Sequence, residues 1–336
     1  MKAVVVRSFG PFADARVEEM PDPTPGAGEV LVAVEAAEAN YPDLLMMEGR
    51  YQVKPALPFI TGKGCAGRVI GLGGGVTDLQ IGQRVAVQVE NGSYASKICA
   101  RRDLCYPVPD GIDAATAAAA LLTYQTAWFA LTDRAMLKPG EIVMVLGAGG
   151  GVGVAAMQVA KLLGAGMVIG ATRGAAKADL VREAGADAVV DLSAENLRDS
   201  LRAQVLAATG GRNVDVIIDP VGGPAFEPAL RTLGWRGRLV VVGFTGGDIP
   251  LARTNYLLVR NISVVGLQGS DYRDRWPEAC AEAQAAIFKA IAEGKFRPVV
   301  SAIYPFERFA EALGALQVGA VRGKVLLSPN ADAGAA

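Results

Sequence analysis

The stretch IVMVLGAGGGVGVAAMQVAK, residues 142–161, decides the fold of this chain. An apolar run of strand length leads into a glycine-rich turn and then directly into an apolar segment of helical composition. Aligned on Gly150 and Gly153, the turn matches a dinucleotide-binding fingerprint in which Ala148 replaces the first glycine. Glycine allows a tight turn and a close approach to a pyrophosphate, which then faces the N-terminus of the helix. The predicted cofactor-binding residues of the turn are Ala148, Gly150, Gly151, Val152 and Gly153.

The residues after the next predicted strand indicate which dinucleotide binds. An NAD site normally has an acidic residue about twenty residues beyond the turn, where it binds the ribose. Here Thr172 is followed by Arg173 and Lys177, and the first carboxylate is Asp179. Arginine and lysine can bind a 2′-phosphate, so the sequence predicts NADPH. The alternative is that both are ordinary solvated charges.

The sequence around the turn repeats the same rhythm of apolar strand, turn and helix between residues 138 and 267. Such runs, separated by amphipathic segments, are typical of a parallel sheet that is covered on both faces. We therefore predict an α/β fold containing a doubly wound, Rossmann-type domain. The predicted strands are Ile142–Leu146, Met167–Ala171, Ala188–Val190, Val214–Asp219, Leu239–Val242 and Ile262–Val265.

The two flanks of this region are predicted to form a second domain. Residues 1–122 contain short strands punctuated by Gly and Pro, which indicates a β-rich, barrel-like domain. Two helical segments, Trp276–Glu293 and Phe306–Leu316, precede a last strand, Lys324–Leu327, that we assign to the same domain. The predicted domains are 1–122 with 270–336, and 123–269.

Composition excludes several classes of protein. The chain has 33 basic and 34 acidic residues that do not cluster, which argues against nucleic acid as a partner. The most apolar region, 142–172, is interrupted by glycines and by Lys161, so no membrane span is expected. The N-terminus lacks the apolar run of a signal peptide, and 4 unevenly spaced cysteines suit a reducing compartment. We expect a cytoplasmic protein.

The chain contains no histidine. Histidine is the most common catalytic base near neutral pH and the most common metal ligand. Its absence excludes Ser-His-Asp triads, histidine-based zinc sites and histidine general acids. Another group must move protons in any reaction that this chain catalyses.

Several ordered motifs together resemble one family. The chain resembles the quinone oxidoreductase branch of the medium-chain dehydrogenase/reductase superfamily over nearly its whole length. The resemblance implies a GroES-like catalytic domain, a Rossmann domain, and hydride transfer from NADPH to a small molecule such as a quinone or enone. The matching segments are Asn40–Asp43, Gly49–Tyr51, Leu57–Gly62, Leu122–Trp128, Gly150–Gly153, Ala184–Asp187, Asp219–Gly223 and Arg322–Val325.

The same resemblance implies that zinc is absent. Relatives with catalytic zinc bind it through Cys and through the His of a Gly-His-Glu motif, and here that stretch reads Gly62-Lys63-Gly64. Their structural zinc lobe needs four closely spaced cysteines, whereas Cys99 and Cys105 are only a pair. We expect no metal at either site, and we interpret Cys65 as a small buried residue.

The resemblance also identifies candidate site residues. It implies a substrate cleft lined by Asn40, Tyr41, Asp43 and Tyr51, with Thr126 and Phe244 near the nicotinamide. Tyr51 matches the proton donor of enoyl thioester reductases, and a phenol with a pKa near ~10 stays protonated at neutral pH. Alternatively, Tyr51 only closes the cleft.

The remaining candidates each have two interpretations. Asn40 could donate its amide to the same substrate oxygen as Tyr51, whereas Asp43 more often holds local backbone than abstracts a proton. Arg322 and Lys324 could reach the cofactor phosphates, or they could be surface charges that flank a strand.

Three functions fit these features. Quinone reduction is the first hypothesis, and reduction of the C=C bond of an α,β-unsaturated carbonyl or enoyl thioester is the second. A non-catalytic NADPH-binding protein is a third, minor alternative. The strand Ile262–Val265 lies at a sheet edge that pairs across a two-fold axis in this family, so we predict a homodimer.

Overall fold

The computed structural model describes residues 1–331, and the chain divides into two compact units. The first unit contains 1–122, 270–294 and the C-terminal part from 298, and the second contains 123–269 with 295–297. The predicted boundaries differ in residues 295–297, which the sequence analysis places in the first domain. This segment joins the second unit because Arg297 exchanges two hydrogen bonds with the Gln158 side chain, of 2.8 and 3.0 Å. Residues 332–336, the end of the predicted first domain, lie outside the described residues.

Strands and helices are numbered in chain order. The strands are β1 Lys2–Val6, β2 Arg16–Glu19, β3 Glu29–Glu38, β4 Phe59–Ile60, β5 Gly64–Leu72, β6 Arg84–Gln88, β7 Lys97–Arg101, β8 Cys105–Pro107, β9 Ile142–Leu146, β10 Met167–Thr172, β11 Ala188–Asp191, β12 Val214–Asp219, β13 Leu233–Val241, β14 Ser263–Gly266, β15 Val300–Pro305 and β16 Lys324–Ser328. The α-helices are α1 Tyr41–Met47, α2 Ala114–Ala119, α3 Leu122–Phe129, α4 Gly151–Leu162, α5 Ala178–Glu183, α6 Leu197–Ala208, α7 Phe226–Leu230, α8 Thr254–Arg260, α9 Gly269–Arg275, α10 Pro277–Ala292 and α11 Phe309–Gln317. Short 3₁₀ turns occupy Phe12–Asp14, Arg102–Leu104, Gly223–Ala225 and Phe306–Arg308, and a π-helical turn spans Ala130–Arg134.

The second unit is built on a six-stranded sheet in the order β11-β10-β9-β12-β13-β14. All of its strand pairs are parallel. The central strand β9 is buried along its whole length, as expected for a strand covered by helices on both faces. The chain runs outward from β9 first on one side and then on the other, which makes the carboxyl end of β9 the switch point where doubly wound sheets bind ligands. The predicted doubly wound domain is therefore confirmed.

The first unit contains a seven-stranded sheet and a three-stranded sheet of order β2-β1-β4. The larger sheet has the order β15-β16-β3-β5-β6-β8, with β7 paired to β3. Its longest strand, β3, alternates partly exposed and buried residues before becoming buried at its end, so one face packs on the core. β16 pairs with β3, so the C-terminal strand lies in the same sheet as the strands of residues 29–107.

The predicted boundaries are wrong at some element ends. β13 begins at Leu233, six residues before the predicted Leu239, because the ladder with β12 continues past an irregularity between Val214 and Val216. Residues 306–308 form a 3₁₀ turn instead of the start of an α-helix. In the described part of the chain, no helix is long and apolar enough to cross a membrane.

Candidate functional site

The glycine turn joins β9 to the 12-residue helix α4. Gly147 leaves the strand at a φ of 59°, a conformation that favours glycine, and Gly150 precedes the first helical residue in an extended conformation. A Cβ atom on Gly153 would lie 2.4 Å from the Gly147 carbonyl oxygen and 2.6 Å from the Ala148 Cα. Only glycine therefore allows helix and strand to approach so closely, and the first-turn N–H groups of α4 point out of the helix N-terminus.

A buried carboxylate holds the loop after β12 beside this turn. Asp219 accepts hydrogen bonds from the backbone N–H groups of Val221 and Gly222, at 2.9 and 2.8 Å. Its burial raises the pKa of this carboxyl. A Cβ atom on Gly147 would meet the Val221 side chain at 2.7 Å, so loop and turn are in close contact. Sequence reasoning used Asp219 only as part of a motif and missed this positioning role.

Thr172, Arg173 and Lys177 follow β10 at the same edge of the sheet. Thr172 is buried, and its hydroxyl donates to the Gly174 carbonyl at 2.9 Å, which shapes the loop that presents Arg173 to solvent. Gly174 in turn donates its N–H to Asp191 at 2.8 Å. Lys177 lies against the glycine turn, since a Cβ atom on Gly149 would be 2.5 Å from the Lys177 Cδ. The structure thus brings Lys177 next to the turn.

Thr126 and Phe244 also belong to the second unit. Thr126 is buried in α3, and its hydroxyl oxygen would be 3.3 Å from a Cβ atom on Gly269. Phe244 follows the end of β13 and is half-buried, with its ring beside Gly222. Phe244 therefore lies at the edge of the sheet that also carries the glycine turn.

In the first unit, the Asp43 carboxylate is buried and is hydrogen-bonded to other groups of the protein. Its carboxylate is 0% exposed and accepts from the Asn40 N–H and the Tyr94 hydroxyl, both at 2.8 Å. Burial raises the pKa of Asp43 to about 6. Asp43 thus closes the N-terminus of α1, which agrees with the interpretation that it holds local backbone. Tyr41, the first residue of α1, is half-buried and packs against the core.

Asn40 and Lys324 are joined in a buried cluster. Lys324 is 4% exposed, and its ammonium donates to the Asn40 side-chain oxygen at 2.5 Å and lies 2.8 Å from the Glu38 carboxylate. The interpretation of Lys324 as a surface charge is therefore wrong, because its charge is compensated inside the first unit, and its role as a phosphate ligand stays a prediction. Arg322, two residues earlier, is exposed.

Glu38 explains the unusual glycine at position 64. A Cβ atom on Gly64 would lie 2.5 Å from the Glu38 carboxylate, so the carboxylate of Glu38 occupies the space that a side chain at position 64 would need. The same carboxylate accepts the N–H of Leu122 at 3.2 Å. Nothing in the sequence around Glu38 or Gly64 signalled that the Glu38 carboxylate occupies the place of a side chain at position 64.

Lys63 is the functional candidate that sequence reasoning overlooked. Its side chain is buried, forms a short ion pair with Glu90, and places the ammonium 4.6 Å from the centre of the Tyr51 ring. Burial lowers the pKa of Lys63, while the Glu90 carboxylate opposes this shift. Tyr51 itself is half-buried against the core. The structure therefore brings the predicted proton donor next to a buried cation.

Within the described part of the chain, neither the carboxylates nor the thiols assemble into a metal site. Among residues 1–331 there is no group of three or more Cys, His, Asp or Glu side chains placed to hold a metal ion. The 4 cysteines are free thiols, and burial raises the pKa of Cys65 far above its ordinary value and that of Cys105 to about 12. Such thiols are protonated at neutral pH and are poor nucleophiles.

Two family models match the chain. The alcohol dehydrogenase GroES-like domain matches residues 26–128, and the zinc-binding dehydrogenase model matches residues 151–285. A quinone oxidoreductase-like protein 2 homolog from Nematostella vectensis is 33% identical over 305 residues, which cover 90% of this chain and 82% of the relative.

Solved structures with the same fold include two NADPH complexes. Escherichia coli quinone oxidoreductase with NADPH is 29% identical with a TM-score of 0.90, covering 98% of this chain and 100% of that structure. A mycobacterial protein complexed with NADPH is 32% identical with a TM-score of 0.90 and the same coverage.

Proposed function

The chain belongs to the quinone oxidoreductase branch of the medium-chain dehydrogenase/reductase superfamily, and from this premise we propose that it reduces a quinone with NADPH and without zinc. The observation that carries the proposal is the glycine turn with Arg173 and Lys177 beyond it, in a chain that has no histidine. As a member of this family the chain is an NADPH-dependent oxidoreductase. The identity of the acceptor and the independence from zinc are the parts to be tested.

The turn and the loop after β10 supply the cofactor site. The residues present fit a dinucleotide, because Gly153 keeps the helix close to the strand and leaves the backbone at Gly150 open to a pyrophosphate. Arg173 and Lys177 bind the 2′-phosphate that distinguishes NADPH from NADH. NADPH, when bound, supplies the hydride.

Tyr51 supplies the proton. A quinone that accepts a hydride becomes an anion and must take up a proton on oxygen, and the phenol of tyrosine is protonated at neutral pH. Asn40 is the weaker candidate for this contact, since its amide oxygen accepts from Lys324 and its amide nitrogen lies 3.4 Å from the Glu38 carbonyl.

The donor set does not fit zinc. Lys63 stands where the zinc-binding relatives have a histidine, and a protonated ammonium has no lone pair to give to a metal. The Glu90 carboxylate, paired with Lys63, is also bound by Arg273 at 2.9 Å. These contacts support a reaction in which protein side chains, and no metal, stabilise the developing charge.

A second function uses the same groups. Tyr51 at a position that matches the proton donor of enoyl thioester reductases favours hydride addition to the β-carbon of an α,β-unsaturated carbonyl. The proton from Tyr51 would then complete reduction of the C=C bond. The two functions differ in acceptor only, so a panel of acceptors separates them.

The test is NADPH oxidation by chelator-treated protein with a para-quinone, an ortho-quinone, an enone and crotonyl-CoA, each repeated with NADH. Turnover of quinones with NADPH preferred is expected. Turnover confined to the enone or the thioester would replace quinone reduction by C=C reduction. If NADPH binds and no acceptor is turned over, the chain is a non-catalytic nucleotide-binding protein and the proposal is wrong.

Two further properties complete the proposal. The free thiols suit a reducing compartment, which supports a cytoplasmic location. The outer strand β14 and the exposed apolar residues of α8 support a homodimer, since an unpaired strand edge is protected by pairing with a second copy.

A further inference from the structure

Lys63 is buried far more deeply than a lysine normally is. The residue is 1% exposed, and its ammonium contacts the Glu90 carboxylate, lies 3.4 Å from the Glu90 carbonyl oxygen and faces the Tyr51 ring at 4.6 Å. Burying a cation costs free energy unless the cation is paired, as Lys63 is with Glu90. The contact with the Tyr51 ring face replaces part of the water that would hydrate the ammonium. The contacts with Glu90 hold the Lys63 ammonium against the Tyr51 ring.

The carboxylates near Lys63 are also bound by other groups. The Glu90 carboxylate is shared, because its second oxygen binds the buried guanidinium of Arg273 at 2.9 Å. Arg273 also binds Asp274, which is more than half exposed. Asp43 also acts on Lys63, and its carboxylate accepts hydrogen bonds from the Asn40 N–H and the Tyr94 hydroxyl. The Lys63 ammonium is the cation that faces the Tyr51 ring, while the carboxylates near it are also bound by other groups.

We propose that Lys63 is a positioning residue that holds the Tyr51 ring and stabilises the phenolate formed when Tyr51 gives up its proton. The inference deepens the proposed function and rests on Tyr51 as the acid. In the proposed step the quinone gains a hydride and becomes an oxyanion, while NADPH is oxidised. The oxyanion then takes the proton of the Tyr51 hydroxyl, and the phenolate regains a proton from solvent water.

The sign of the effect follows from electrostatics. A cation close to a phenol favours its charged form and makes it a stronger acid, whereas a neighbouring carboxylate has the opposite effect. Removal of the Lys63 charge should therefore weaken the acid, and removal of the Glu90 charge should strengthen it. A purely structural contact would not give opposite changes at these two positions.

The first test is the pH profile of kcat/KM for the acceptor that the panel identifies. We expect Lys63→Met to lower kcat/KM about tenfold at neutral pH and to leave KM for NADPH unchanged. The alkaline limb, where kcat/KM falls as the pH rises, should move up by about one pH unit. Lys63→Arg keeps the cation and should keep the limb in place. Glu90→Gln should move the limb down, and a shift in the same direction as Lys63→Met would overturn the proposal.

A double-mutant cycle separates this inference from the proposed function. In the Tyr51→Phe background, Lys63→Met should have no further effect on kcat/KM, because the group that it acts on is gone. Additive losses would refute the inference and leave Tyr51 as the acid. Full activity of Tyr51→Phe would instead remove Tyr51 from the proposed function. Where Lys63→Met does not fold, Lys63→Met with Glu90→Gln avoids a lone buried charge, and its limb should lie above that of Glu90→Gln.

A readout without turnover uses the cofactor-free protein. With tyrosine labelled by ¹³C at Cζ, the Tyr51 resonance is assigned by its loss in Tyr51→Phe, and its titration is followed by NMR. Lys63→Met should shift that titration to higher pH and Glu90→Gln to lower pH. Tyr304, whose ring lies 5.4 Å from the Arg308 guanidinium, is the internal control and should not respond. An unchanged Tyr51 titration in both variants would contradict the proposal.

Discussion

Arg173 is the residue on which we propose that the choice between NADPH and NADH depends. It is exposed on the loop after β10, while Lys177 lies against the glycine turn. A guanidinium that forms a bidentate pair with a 2′-phosphate contributes roughly 1.5–3 kcal/mol, which corresponds to about ten- to a hundredfold in affinity.

We therefore predict that Arg173→Ala raises KM for NADPH at least about tenfold and leaves KM for NADH nearly unchanged. Steady-state kinetics with both cofactors measure the effect. Arg202→Ala, which removes an exposed arginine from α6, is the matched control and should change neither value. Equal losses with both cofactors would show that Arg173 does not contact the 2′-phosphate.

Asp43 makes the stability of the first unit depend on pH. Its pKa is raised by burial from 3.8 to about 6, so the folded protein binds its proton more tightly than the unfolded chain does. The stabilisation is fully present below pH 3.8 and is lost as the pH rises to about 6. The shift corresponds to about 3 kcal/mol.

In Asp43→Asn this contribution to the pH dependence should disappear. Between pH 4 and pH 7 the stability of the wild type should fall relative to that of the variant, by up to about 3 kcal/mol. Chemical denaturation at several pH values, compared between the two proteins, measures the difference. A constant difference across this window would mean that Asp43 is not the group responsible.

At the scale of elements, the turn between β9 and α4 uses two glycines for different reasons. A Cβ atom on Gly153 would overlap the backbone of the turn at 2.4 Å, whereas the nearest atom to a Cβ on Gly150 is 3.4 Å away. Gly153 therefore serves the packing of helix against strand, and we propose that Gly150 serves the approach of the cofactor.

We predict that Gly153→Ala lowers both the thermal midpoint and the affinity for NADPH, since α4 must move away from β9. Gly150→Ala should keep the thermal midpoint of the wild type and lose NADPH affinity alone. Calorimetric unfolding and fluorescence titration with NADPH provide the two readouts. A loss of stability in both variants would remove the distinction between the two glycines.

At the scale of the whole molecule, the apolar surface near β14 is the candidate interface. Leu258 and Val259 on α8, the helix that precedes β14, are 78% and 73% exposed. Apolar side chains gathered beside a sheet edge favour association with another copy.

We predict a homodimer whose mass falls to that of one chain when Leu258 and Val259 are both changed to Glu. Light scattering coupled to size-exclusion chromatography measures the mass. Val318→Glu is the control, because Val318 is 78% exposed in the first unit and should leave the mass unchanged. A monomeric mass for the wild type at working concentration would contradict the prediction.

Most of the second unit could be predicted from the sequence. Two of its strands, Ile142–Leu146 and Val214–Asp219, have the predicted bounds, because buried parallel strands are short apolar runs between turn residues. The start of β13 was missed, since Trp235 and Arg236 interrupt the apolar pattern while the ladder continues. The spacing of apolar residues along the sequence indicates which residues are buried, so it does not identify a part of a strand that is exposed.

The sequence by itself determined the doubly wound unit and its glycine turn, because strand, turn and helix lie within one short stretch of chain and their signals are local. Only the tertiary structure decided which charges are buried together. Lys63 meets Glu90 27 residues later, Glu90 meets Arg273 183 residues later, and Lys324 reaches back 284 residues to Asn40. The pairing of strands that are distant in the chain and the return of the C-terminal segment create these pairs, and no local pattern encodes a partner so far away in the chain.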